Sequence, residues 1–130
     1  MVSLCGSKDL TAHDGYLQYR FGRARHVELE FPPQRQDTQQ MFRYSQYSRY
    51  QVHRAAVSFQ RGGHTYVLFD SYEGDASAKT HQQGVQVAPA GGVRQEVTFL
   101  CRGVARGNLY SLSSVLPCNR EDPLNMGECP

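Results

Sequence analysis

Three features of the chain predict an all-β fold, an antiparallel β-sandwich or open barrel of about seven or eight strands stapled by disulfides. Apolar residues recur with period two, while helical periodicity is scarce. Glycine and proline turn signals punctuate the chain at short intervals. Four cysteines, Cys5, Cys101, Cys118 and Cys129, form an even set suited to cross-linking. At 130 residues the chain fits one domain, residues 1–130, with a core large enough that cross-links help without being obligatory.

The elements follow in order. Leu17, Tyr19 and Phe21 alternate with polar residues, as do Val27, Leu29 and Phe31. Gly22-Arg23-Ala24-Arg25 between them suits a hairpin. Pro32-Pro33 ends the second strand because proline cannot donate to a ladder. Gln34 to Gln40 reads as a polar loop without a packing signal, and Phe42 and Tyr44 suggest a third strand beginning at Met41. Ala55, Val57 and Phe59 mark a fourth strand, and Gly62-Gly63 supplies the positive φ angles of a tight turn. His64 to Phe69 is apolar on both faces, the pattern of a sheet centre.

Beyond it, Glu73 to Gln83 is polar and reads as a loop. Val85 and Val87 mark a short strand, Pro89-Ala90-Gly91-Gly92 a turn, and Val97, Phe99 and Cys101 another strand. Leu109 to Leu116 fits either a strand or a helical turn, and the chain reads as irregular from Pro117 onward.

None of the cysteines has the spacing of a zinc site, so structural disulfides are the expected use, and they imply an oxidising compartment. Four cysteines allow three pairings. The preferred one joins Cys118 to Cys129 across a short C-terminal loop and Cys5 to Cys101 between the N-terminus and a late strand. Met1-Val2-Ser3-Leu4 is too short for the apolar segment of a signal peptide, so export implies a precursor that begins earlier. Leu4 before Cys5 is too large for a lipidation site, and no apolar run is long enough for a transmembrane helix. The expected location is therefore periplasmic or secreted.

A net charge of +2, with Glu28 and Glu30 among the bases, argues against a nucleic-acid partner. The most distinctive segment runs from Arg43 to Arg54, where tyrosines and arginines interleave. These side chains are favoured at binding surfaces. In an extended chain Tyr44 and Tyr50 share one face and Tyr47 takes the other. The expected contact surface is Tyr44, Tyr47, Arg49, Tyr50, His53 and Arg54, and the expected partner is another protein. The competing reading makes these tyrosines core caps with buried rings and wet hydroxyls.

Asp70, Glu73 and Asp75 offer oxygens to calcium, but the spacing is not that of an EF-hand loop, and a solvated acidic turn is the plainer reading. No cofactor is expected. None of His13, His26, His53, His64 and His81 lies in a metalloprotease motif, and no serine sits in a nucleophile elbow. No catalytic residue is assigned. A hydrolase would need His53 or His64 beside a carboxylate, with His53 and Asp70 the first pair to consider.

Two resemblances add to this reading. Gly15-Tyr16-Leu17-Gln18-Tyr19-Arg20-Phe21-Gly22 and Val27-Glu28-Leu29-Glu30-Phe31-Pro32, with Tyr47 to Val52 and Val57 to Gly63, resemble small exported bacterial β-proteins of unassigned function. In general form the chain also resembles periplasmic lysozyme inhibitors and immunity proteins, without their loop motifs. The resemblance implies an exported protein-binding domain, an inhibitor or immunity-type protein that blocks a cell-wall hydrolase. A glycan- or small-ligand-binding module is the alternative, and a hydrolase with a His/carboxylate site the second alternative.

Overall fold

A computed structural model describes residues 1–23, 25–74, 79–89, 96–102, 107–125 and 129, with Pro123 described by its backbone alone. Two antiparallel sheets make up the fold. The first holds β1 (Val2–Gly6), β2 (Leu17–Arg23) and β3 (His26–Phe31). The second is a meander of β4 (Arg43–Arg49), β5 (Val52–Arg61), β6 (His64–Glu73), β7 (Thr80–Pro89) and β8 (Val97–Leu100). The second sheet is not closed into a barrel: β4 and β8 stand at its opposite edges.

Alternation decides what faces the core. Leu17 and Tyr19 of β2 meet Ala55, Val57 and Phe59 of β5, with Leu68 of β6 and Val85 of β7 behind them. Phe59 is the hub. Its ring stacks on Phe31 at 4.7 Å and on Tyr66 at 4.8 Å, and Tyr19 and Phe42 meet it tilted at 5.0 and 5.5 Å. Each such pair adds about 0.5–1.5 kcal/mol beyond area burial.

The expected centre strand is β6, which lies third of five. The Gly62-Gly63 turn has φ of 58° and 75°, as a tight hairpin needs, and pairs Arg61 with His64. At Gly22 the β2–β3 register shifts, φ is 145°, and a Cβ would meet the His26 carbonyl at 2.5 Å, so only glycine fits this bulge. Ala24 of that hairpin and Ala90 to Gly92 of the expected later turn lie outside the described residues.

Five expectations are corrected. Val2–Gly6 forms a strand that the alternation search passed over. Met41 belongs to a 3-10 turn, η1 (Gln39–Met41), and the next strand starts at Arg43. Gln34 to Gln40 is not free of packing, because Thr38 and Gln39 are buried. Thr38 Oγ1 accepts from the Leu17 N–H and donates to the Leu17 carbonyl, both at 2.7 Å. Gln39 Nε2 donates to the carbonyls of Thr11 and Asp14 at 2.8 Å. These bonds fix the crossover between the sheets to the start of β2 (buried polar groups persist only where partners meet them).

The fourth correction concerns the polar run ending at Gln83. Its last residues, from Thr80, are the first part of β7, because the β6 ladder recruits them in register as far as Glu73 with Thr80. The fifth concerns the cysteines. Cys118 and Cys129 are bridged as expected, but Cys5 and Cys101 are free and exposed. Val2 and Leu4 turn inward to the core, so alternation points Cys5 to the outer face of the first sheet, away from β8.

Leu109 to Leu116 resolves into a helical turn, η2 (Leu109–Ser114), whose Leu109, Tyr110 and Leu112 pack on the same core with Val115 and Leu116. The chain then runs along the free edge of β4. The Tyr44 N–H donates to the Pro117 carbonyl and the Asn119 N–H to the Tyr44 carbonyl, both at 2.8 Å. The last turn, η3 (Pro123–Asn125), places Asn125 so that its Oδ1 accepts from the Gln46 N–H at 2.9 Å.

Phe59→Ala removes the ring that both sheets share. It is expected to cost about 4 kcal/mol, read as a lower urea midpoint with an unchanged slope. A loss under about 1 kcal/mol would place the core's main support elsewhere.

Candidate functional site

The Arg43 to Arg54 segment spans β4, its turn and the start of β5. Tyr50 and Gln51 form the turn, with Gln51 at φ 60°. The Gly74 N–H donates to the Gln51 carbonyl at 2.7 Å and ties the turn to the end of β6. Tyr50 stands on this fixed turn 83% exposed.

The six expected contact residues do not form one surface. Tyr44 is only 4% exposed, its ring in the core and its hydroxyl donating to Gln46 Oε1 at 2.9 Å. It leaves the contact surface, as the core-cap reading anticipates. Tyr47 and Arg54 are cross-strand partners on the outer face of the second sheet. Arg54 pairs with Glu73 there. His53 points to the opposite face, beside Ser48, with Nδ1 to Oγ at 3.5 Å. Arg49 is exposed next to the turn.

Around His53 the structure gathers residues that sequence reasoning missed. His53 stacks on Tyr72 at 6.1 Å and 17°, and Tyr72 meets His81 edge-on at 6.0 Å. His81 Nε2 lies 2.7 Å from Asp70 Oδ1, and Gln83 Nε2 donates to Asp70 Oδ2 at 2.9 Å. The signal for this cluster was present: counting outward in step from the Gly62-Gly63 turn pairs His53 with Tyr72. The other half, His81, needed the unrecognised first part of β7.

This arrangement bears on two chemical alternatives, the His53–Asp70 pair and a calcium site. Asp70 is engaged by His81 and not by His53, and His64 Nδ1 lies against the Gly62 carbonyl at 3.0 Å. Asp70 and Glu73, three residues apart on one strand, project to opposite faces and hold separate partners, so they do not converge on a cation. Asp75 lies outside the described residues, and among the described residues no group of three His, Cys, Asp or Glu could hold a metal.

A second feature lies at the other end of the sandwich. A cleft of about 360 Å³ opens between the sheets, with Tyr19, Phe21 and Leu29 on one wall and Tyr66, Val87 and Phe99 on the other.

Known protein families, curated proteins and solved structures yield no match to this chain. Among the described residues no helix is long and apolar enough to cross a membrane. The Cys118–Cys129 bridge is compatible with an extracellular or periplasmic setting.

Burial raises the Tyr19 hydroxyl to about 12 from its ordinary 10.0, with neighbouring Tyr66 adding to the effect. Burial, then Tyr110, does the same to Tyr44. The folded state thus holds both protons where the unfolded chain releases them, so stability is retained below pH 10 and lost as pH rises toward 12. Each tyrosine accounts for about 2–3 kcal/mol of that loss. Urea midpoints across this window are expected to fall steeply, and Tyr19→Phe to make the fall shallower.

Proposed function

We propose that the protein is an exported recognition domain that binds another protein through the β4–β5 turn, acting as an inhibitor or immunity-type protein against a cell-wall hydrolase. Tyr50 carries this reading: a large aromatic side chain stands 83% exposed on a turn held by the Gly74 to Gln51 hydrogen bond. A tyrosine presented this way offers contact area with little ordering left to do on binding. Arg49 lies beside it, and Tyr47, His53 and Arg54 flank the turn on its two faces.

The glycan-binding alternative draws less support from the site. Sugar platforms use exposed, coplanar rings, whereas His53 and Tyr72 here turn their faces toward each other. The inhibitor reading asks for an exposed side chain on a held turn, and Tyr50 beside the Gly74 to Gln51 hydrogen bond supports it.

Affinity capture from a periplasmic fraction tests the proposal. The immobilised protein is expected to recover a cell-wall hydrolase, with Tyr50→Ala weakening its binding at least tenfold, or about 1.4 kcal/mol. Equal recovery by the variant, or no recovered protein, would count against it.

A further inference from the structure

The inter-sheet cleft lies apart from the turn that carries the recognition proposal. Its walls come from both sheets, and the edge-on contact of Phe21 with Phe99 at 5.5 Å closes one side between them. Its volume, about 360 Å³, falls in the range of small-molecule sites. The lining is almost wholly aliphatic and aromatic, with Tyr19, Tyr66 and His64 the polar contributors.

Two observations indicate that this space is under-filled. Val97 and Phe99 pair with Val87 and Val85, so they share the inward parity of the second sheet. They nevertheless remain 50% and 45% exposed. Inward apolar residues left this open gain from any apolar group that enters beside them.

The mouth has a charge character. The β2–β3 and β5–β6 hairpins both end at the cleft, since Phe21, Leu29, Tyr66 and His64 line it. These hairpins carry Arg23 and Arg25 on one side and Arg61 on the other, all exposed. Of the acids in the same region, Glu28 is out of phase with the cleft-lining Leu29 on β3, and the exposed Glu96 precedes β8. An apolar slot reached by two hairpins that carry exposed arginines complements one ligand type, a chain with an anionic end.

We propose that the cleft binds a single-chain amphiphile, its apolar tail between the sheets and its anionic head at the hairpin arginines. The test uses the purified full chain and a neutral fluorescent probe, N-phenyl-1-naphthylamine. Saturable probe binding is expected, with displacement by dodecanoate below its micelle concentration. Dodecyltrimethylammonium should need about tenfold more. Val87→Phe, which narrows the slot, should abolish probe binding while cooperative unfolding persists. Arg61→Glu, at the exposed end of β5, should weaken dodecanoate about tenfold and leave the neutral probe unaffected.

Tyr50→Ala should bind dodecanoate as the parent does. The proposal is overturned by an absence of saturable binding, by equal affinity for the two head groups, or by unchanged dodecanoate binding in Arg61→Glu. A concentration-dependent dimer that excludes the probe would also overturn it, because a second copy would then cover the cleft.

Discussion

The ring of Phe59 is where the two sheets become one domain. Neither sheet has an interior of its own; each is one layer, and it must bury its inward apolar face against the other. Phe59 projects from the second strand of the meander and is gripped by Phe31 and Tyr19 from the smaller sheet, by Tyr66 from its own, and by Phe42 from the crossover. The crossover must therefore arrive in one position. Thr38, bonded twice to the backbone of Leu17, and Gln39, bonded to the loop before β2, hold it there.

From this centre the structure is finished unevenly. Toward the β4–β5 turn, η2 extends the core, and the C-terminal segment covers the edge of β4 with hydrogen bonds to Tyr44 and Gln46. The Cys118–Cys129 bridge closes that segment into a small loop worth about 3 kcal/mol in the chain-entropy account. An edge strand covered this way is protected from pairing with other chains. At the opposite end, β8 has only four residues and all are exposed. The cleft lies beside it, lined by Val97 and Phe99. One end presents Tyr50 on its hydrogen-bonded turn, and the other holds the apolar cleft.

Much of this was legible in the sequence because it rests on local rules. The Gly62-Gly63 turn, the alternation of Ala55, Val57 and Phe59, and the central position of β6 follow from glycine stereochemistry and period two. Cys118 and Cys129 are close enough along the chain for a short loop to join them. What escaped depends on contacts between distant segments. Thr38 and Gln39 look like loop residues until Leu17 and Asp14 are brought to them. Thr80 to Gln83 looks polar and unstructured until β6 supplies a ladder. Tyr44 and Tyr47 differ in fate because one face of β4 meets the core and the other does not. Val2 and Leu4 set the parity that turns the Cys5 thiol outward, away from Cys101. The cluster of His53, Tyr72 and His81 needed the register of three strands at once.

Hydrogen exchange in the native state tests the central claim, that stability radiates from the Phe59 contacts and fades toward β8. Amides of Ala55 to Phe59 and Tyr66 to Leu68 are expected to exchange only through global unfolding, while those of β8 exchange orders of magnitude faster through local opening. Uniform protection across both sheets, or slowest exchange in β8, would contradict it.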